Sequence, residues 1–191
     1  MRMQYASAGS WVRGRALVLA AGGAALLLAG VLALALSRGI GGAELGETST
    51  GFEVASDFTL PTYQGGPFTL SEHSDRPVFI YFWASWCAPC YREAPVIQQL
   101  WPEFEAAGYR FVGVNIMDHE QDARAFIEEF GLTFPMAYDT AGDVYLEYGV
   151  YGLPEAFFLE PGLRVDQKFV GELHEQELRE MLGRIAPARV E

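Results

Sequence analysis

Residues 78–90 of the chain, VFIYFWASWCAPC, join a continuous run of apolar and aromatic side chains to a pair of cysteines. The first six residues have the length and composition of a β-strand that is buried on both faces of a sheet. After Cys87 the apolar side chains recur every four residues until Gly108, which is the period of an amphipathic helix. The sequence therefore predicts a buried strand that turns into a helix, with Cys87 and Cys90 at the turn.

Strands and helices alternate outward from this stretch. The pattern predicts, in chain order, a small hairpin of strands 58–60 and 68–70, a buried strand over 110–115, a helix over 122–130, a short helix over 143–148, a hairpin of strands 156–159 and 165–170, and a helix over 175–185. Strands separated by helices pair in parallel, whereas the last two strands form an antiparallel hairpin. We therefore expect an α/β fold with an N-terminal β-hairpin extension.

An apolar segment without charged residues precedes this domain. Residues 16–37 are long enough for a helix, which rises about 1.5 Å per residue, to cross a hydrocarbon core about 30 Å thick. Arginines precede the segment at positions 2, 13 and 15, which favours a cytoplasmic N-terminus. The alternative is a cleaved signal peptide, for which Ala33 and Ala35 offer a small-residue cleavage site.

These features divide the chain into four parts. We expect a cytoplasmic N-terminus over residues 1–15, a transmembrane anchor over 16–37, a flexible linker over 38–51 and the α/β domain over 52–191. We therefore expect a single-pass protein of the cell (inner) membrane, with the domain on the extracytoplasmic or periplasmic side.

Charge is distributed unevenly along the chain. The net charge is −12, and all 25 acidic residues follow Arg38, whereas four of the 13 basic residues lie at or before it. So acidic a domain disfavours nucleic acids and anionic lipid head groups. Nucleic-acid binding is thereby excluded.

Cys87 and Cys90 are the only cysteines of the chain. Unpaired N–H groups and the helix dipole stabilise a thiolate at a helix N-terminus, so Cys87 is the candidate nucleophile and Cys90 the residue that resolves a mixed disulfide. Pro89 stiffens the first turn without removing a needed hydrogen bond. The alternatives are a structural disulfide, half of a metal site or chance spacing. So short a loop restrains the unfolded chain little, and a zinc site would need further ligands.

No cofactor or metal is expected from the remaining polar residues. His73, His119 and His174 are scattered along the sequence, and lone histidines are assigned no role. Asp118, Glu120 and Asp122 form a short acidic patch, for which a solvated loop is the favoured interpretation.

The active-site stretch resembles that of the TlpA, ResA and CcmG (DsbE) redoxins of the thioredoxin superfamily. The similarity extends from residues 82–90 through Glu93 and Pro95 to Gly113-Val114-Asn115 and the loop YGVYGLPE at residues 148–155. This resemblance implies a thioredoxin-like fold, a redox-active Cys87–Cys90 disulfide and a cis peptide bond between Leu153 and Pro154 that faces it. It also implies a substrate-binding surface around the cysteines, formed by Trp86, Ala88, Pro89, Leu153, Pro154 and Glu155.

Two glutamates are further candidate site residues. Glu93 lies one helical turn beyond Cys90, and the resemblance implies that it exchanges protons with the cysteine pair; a solvated helix glutamate is the alternative. It would replace the buried aspartate of thioredoxin, at whose place this chain has Tyr81. Glu155 favours the CcmG-like branch, where its carboxylate either selects basic partner segments or is simply exposed.

The resemblance implies an extracytoplasmic thiol-disulfide oxidoreductase. We expect it to reduce disulfides of exported proteins, specifically apocytochrome c during cytochrome c maturation, and to be reduced in turn by a membrane thiol-disulfide electron donor. The alternatives are a general or copper-delivery-related disulfide reductase and, in another class, a non-catalytic membrane-held docking domain. A peroxidase is disfavoured because Ala84 stands where peroxiredoxins have threonine.

Overall fold

The computed structural model describes residues 22–34, 46–48 and 50–186, and it divides the chain into two compact units, Met1–Ala43 and Glu44–Glu191. In the first unit, residues 22–34 form a helix (α1) with exposed leucine and valine side chains. The rest of the predicted anchor, residues 16–21 and 35–37, lies outside the described residues. Within the described ranges, no helix reaches the combined length and hydropathy of a membrane span.

The second unit is built on a six-stranded mixed sheet with a separate hairpin. The strands are β1 (Gly46–Thr48), β2 (Thr59–Pro61), β3 (Pro67–Thr69), β4 (Val78–Trp83), β5 (Arg110–Ile116), β6 (Met136–Asp139), β7 (Glu155–Glu160) and β8 (Arg164–Val170). The large sheet has the order β1-β8-β7-β4-β5-β6, and β2 pairs with β3. The helices are α2 (Ala88–Ala106), α3 (Glu120–Glu129), α4 (Asp143–Glu147) and α5 (Glu175–Arg184).

Strand β4 lies at the centre of the sheet. It runs parallel to β5 and antiparallel to β7, and all six of its side chains are buried. Its alternate side chains belong to two apolar clusters, one on each face of the sheet. Burying a large apolar side chain contributes roughly 1.5–3 kcal/mol, so this strand is a major source of the stability of the domain. The predicted doubly buried strand, the N-terminal hairpin and the α/β class are confirmed.

Strand β6 was not predicted from the sequence. It contains four residues, Met136–Asp139, none of which is β-branched, so neither its length nor its composition indicates a strand. It is stabilised by its neighbours: it pairs in parallel with β5, and the backbone N–H of Tyr63 donates to the carbonyl of Met136 at 2.8 Å.

Strand β1 lies inside the segment predicted to be a flexible linker. Gly46–Thr48 pairs antiparallel with β8, and Glu47 forms an ion pair with Arg184 at 3.2 Å. Backbone hydrogen bonds rather than apolar side chains hold this edge strand, which explains why the hydrophobic pattern did not predict it.

Candidate active site

The two cysteines form a disulfide at the N-terminus of α2. Cys87 is the N-cap residue, and its Sγ accepts from the backbone N–H of Cys90 at 3.3 Å. Its residual exposure is 3%, whereas Cys90 is fully buried. A thiol-disulfide exchange partner must therefore approach Cys87, as predicted from its position.

The loop between β4 and α2 presents an exposed tryptophan next to Cys87. Trp86 is 58% exposed, and its indole N–H donates to the carbonyl of Met117 at 2.9 Å. Ala88 is exposed and Pro89 half-buried in the first turn of α2. These three predicted substrate-binding residues thus surround Cys87 at the surface.

The Asp118 carboxylate accepts four hydrogen bonds, two of them from Ser85 in this loop. Its Oδ2 accepts from the backbone N–H of Ser85 at 2.6 Å and from Asn115 Nδ2 at 2.8 Å. Its Oδ1 accepts from the hydroxyl of Ser85 at 2.6 Å and from the backbone N–H of His119 at 2.9 Å. The solvated-loop interpretation is therefore wrong for Asp118. The available signal was its place just after β5, because parallel strands β4 and β5 end at the same edge of the sheet.

Glu93 lies inside the protein on the same helix as Cys90. It is 1% exposed, and its Oε1 accepts from the backbone N–H of Leu173 at 3.3 Å. Burial raises the pKa of this carboxyl well above its ordinary value, although the hydrogen bond from Leu173 opposes the shift. The alternative of a solvated helix glutamate is wrong.

Tyr81 is fully buried in β4, at the position where thioredoxin has an aspartate. Burial raises the pKa of its hydroxyl, and the negative charges of Glu93 and Glu172 raise it further. Tyr81 therefore stays protonated, and the buried carboxyl of this region is that of Glu93.

The peptide bond between Leu153 and Pro154 is cis, as the family resemblance implied. Strand β7 begins at Glu155, which pairs with Phe82 in the penultimate position of β4, so Pro154 lies beside the end of the strand that leads to the cysteines. Leu153 packs against the apolar cluster that contains Cys87 and Cys90. The two chain segments predicted to form the site are thus neighbours at one edge of the sheet.

Glu155 is completely buried, so its predicted alternative of simple exposure is wrong. Its carboxylate forms an ion pair with Lys168 of β8 and accepts from the backbone N–H groups of Tyr151 at 3.2 Å and Gly152 at 3.3 Å. Burial raises the pKa of Glu155, and Lys168 counteracts that effect. Through these contacts the Glu155 carboxylate holds the loop before Pro154 in place. Because the carboxylate faces the interior, it does not offer a direct contact to a basic partner segment.

Lys168 was missed in the sequence. Its ammonium donates to the carbonyl of Gly149 at 2.9 Å and lies 4.7 Å from the ring centre of Tyr151. Lys168 follows Asp166 and Gln167 in the sequence, so it resembles an ordinary surface residue, and only the pairing of β7 with β8 brings it beneath the loop.

The histidines occupy positions at helix starts and beside a ring. His119 and His174 are the N-cap residues of α3 and α5, and the ring centre of His73 lies 4.8 Å from that of Phe68.

A disulfide at the start of a helix, one accessible sulfur and a neighbouring cis-proline define a thiol-disulfide oxidoreductase of the thioredoxin-like class. Comparison with known proteins agrees. Residues 53–168 match the model of the AhpC/TSA family.

Two curated relatives and one solved structure extend the similarity. Thiol-disulfide oxidoreductase ResA of Geobacillus thermodenitrificans is 32% identical over 133 residues, which cover 70% of this chain and 76% of the relative. ResA of Geobacillus kaustophilus is 33% identical over 133 residues, with the same coverage. A putative thiol:disulfide interchange protein DsbE from Chlorobium tepidum superposes with a TM-score of 0.66 at 30% identity, covering 75% of this chain and 99% of that one.

The chain belongs to the AhpC/TSA family and, within it, to the TlpA/ResA/CcmG group of thiol-disulfide oxidoreductases.

Proposed function

We propose that the protein is a membrane-anchored reductase of disulfides in exported proteins, and that its substrates are the CxxCH haem-attachment sites of apocytochromes c. The observation that carries this proposal is the loop at residues 148–155, which ends in cis-Pro154 and the buried Glu155 and resembles the corresponding loop of CcmG. The similarity to the DsbE structure from Chlorobium tepidum supports the same branch.

The chemistry is a two-electron thiol exchange. The Cys87 thiolate attacks one sulfur of the substrate disulfide, forms a mixed disulfide and releases the other substrate sulfur as a thiolate. Cys90 then transfers its proton to Glu93 and attacks Sγ of Cys87. This step forms the Cys87–Cys90 disulfide and releases the second substrate thiolate. A membrane thiol-disulfide donor supplies the two electrons that restore the dithiol.

The direction of electron flow is proposed on the resemblance to the TlpA, ResA and CcmG redoxins, and the reduction potential of the Cys87–Cys90 couple tests it. A strong oxidant has a stabilised reduced form, which comes from a strongly favoured thiolate.

The membrane anchor is proposed on residues 16–37 and on the arginines that precede them. Carbonate extraction of membranes should leave the full-length protein in the membrane pellet. Its intact mass should match that of a chain that begins at Met1 or Arg2. Release into the soluble fraction with an N-terminus near residue 36 would instead establish signal-peptide cleavage.

The substrate proposal is tested by comparing rates of reduction of an oxidised CxxCH peptide and of insulin by the reduced domain. Preference for the CxxCH peptide of tenfold or more supports an apocytochrome substrate. Equal rates would favour a general disulfide reductase. In a separate experiment, complementation of a deletion strain by the Cys87→Ser variant would favour a docking domain.

A further inference from the structure

The β5–α3 loop and the cysteine loop are joined by a small network that the proposed thiol chemistry does not use. We propose that Asp118 is a positioning residue of the redox site, which holds the segment 84–87 in place through Ser85 and thereby sets the reactivity of Cys87. This proposal deepens the thiol-disulfide activity of the family and is independent of the cytochrome substrate.

The hydrogen bonds of Asp118 connect the β5–α3 loop to the cysteine loop, and we call this group of four hydrogen bonds the Asp118 clasp. Each carboxylate oxygen accepts two hydrogen bonds, one from Ser85 and one from its own loop or from Asn115. Both donors of Ser85, the backbone N–H and the hydroxyl, bind this one side chain at 2.6 Å. Hydrogen bonds to a charged acceptor are the stronger kind, so the position of Ser85 is closely defined.

Ser85 lies two residues before the nucleophile. The backbone N–H of Cys87 donates to the carbonyl of Ala84 at 3.1 Å, so the segment 84–87 forms a tight turn. A displacement of Ser85 is therefore transmitted to the sulfur of Cys87 and to its place at the N-terminus of α2. That place is what stabilises the thiolate.

Met117 gives independent support for the clasp. It has a φ of 49°, in the left-handed region that non-glycine residues rarely adopt. In this conformation the carbonyl of Met117 accepts from the indole of Trp86, while the next residue, Asp118, reaches Ser85. Unfavourable backbone conformations persist where surrounding contacts require them, and they concentrate at functional sites.

The experiment follows the pKa and reactivity of Cys87 in the reduced protein. Alkylation by iodoacetamide is measured from pH 4 to 10 for the wild type, Ser85→Ala, Asp118→Asn and the double variant, with mass spectrometry to verify the modified cysteine. Ser85→Ala keeps the charge of Asp118 and removes only one donor. Asp118→Asn removes the charge and also replaces one oxygen, which accepts two hydrogen bonds, by an NH₂ group that accepts none.

Glu120→Gln is the matched control. Glu120 lines the same cavity as Asp118, of about 280 Å³, but its side chain is exposed and pairs with Arg124 on its own helix. The control removes one negative charge two residues from Asp118 and leaves the clasp intact.

We expect both single substitutions to raise the apparent pKa of Cys87 by about one pH unit, so that alkylation below that pKa slows about tenfold. The double variant should change no more than the larger single effect, because the two residues share the same bonds. Glu120→Gln should match the wild type. A lower pKa of Cys87 in Asp118→Asn, with no change in Ser85→Ala, would show that Asp118 acts only through its charge and would overturn the proposal. Unchanged reactivity of Cys87 in both variants would also overturn it. The iodoacetamide assay needs no protein substrate, so its outcome is separate from that of the cytochrome proposal.

Discussion

Glu155 and Lys168 form an ion pair in which the side chains are 0% and 6% exposed. The pair lies beneath the loop that precedes cis-Pro154, and both partners also bind backbone groups of that loop. Taking two charges out of water is costly, so removal of one partner leaves the other uncompensated.

Lys168→Met should therefore destabilise the domain by about 3–5 kcal/mol, because it leaves the Glu155 carboxylate buried and unpaired. Chemical denaturation of the wild type and the variant at pH 7 measures the difference. The double variant Glu155→Gln/Lys168→Met should recover much of the loss, since it carries neither charge.

The ion pair of Glu160 and Arg164 at the other end of the same hairpin is the control. Its side chains are 32% and 68% exposed, so Arg164→Met should cost less than about 1 kcal/mol. A loss in Lys168→Met no larger than in this control would contradict the account.

Glu93 should make stability depend on pH. Its pKa in the folded protein is raised above the ordinary value of 4.5, so its contribution to stability is fully present below pH 4.5 and is lost as the pH rises through the folded pKa. Glu93→Gln lacks this titration. The stability of the variant relative to wild type should therefore increase between pH 4.5 and pH 8, as measured by urea unfolding at several pH values. A constant difference across this range would mean that Glu93 titrates normally.

The two cysteines should differ in what they trap. Cys90→Ser leaves Cys87 able to form a mixed disulfide that nothing resolves, so covalent complexes with exported proteins should accumulate and disappear on reduction. Cys87→Ser should give none, because Cys90 is fully buried. Non-reducing electrophoresis distinguishes the variants, and equal trapping by both would be inconsistent with Cys87 as the accessible sulfur.

Trp86 should affect polypeptide substrates more than small ones. The side chain is 58% exposed beside Cys87, so Trp86→Ala removes contact area for a bound chain without removing a reacting group. We expect the rate of insulin reduction to fall at least fivefold and the reaction with a small aromatic disulfide to change less than twofold. An equal decrease in both rates would indicate that Trp86 acts through the geometry of Cys87.

The sequence predicted the elements that have a strong hydrophobic pattern. Strand β4 and the helix that begins after Cys87 are where residues 78–90 indicated, since a continuous apolar run and a four-residue period have few alternative explanations. Strand β6 escaped prediction because its pairing with β5, and not its own composition, makes it a strand.

The sequence predicted the two reacting cysteines of the site. It did not predict the hydrogen bonds and the ion pair that hold the surrounding loops. The spacing of Cys87 and Cys90 is a local property, and the sequence shows it directly. The partners of Asp118 and Glu155 are distant in sequence: Ser85 is 33 residues from Asp118, and Lys168 lies on a neighbouring strand. The hydrophobic pattern of a single sequence does not show which strands and loops are neighbours, so both carboxylates were interpreted as surface residues.

The reduction potential of the Cys87–Cys90 couple tests the central claim, that this is a reductase, most directly. The purified domain is equilibrated with dithiothreitol or glutathione buffers of known potential, and the fraction of dithiol is measured after acid quenching and alkylation. We predict a reduction potential of about −270 mV, as in thioredoxin. A value near about −120 mV, as in DsbA, would identify a disulfide-forming oxidant and contradict the account.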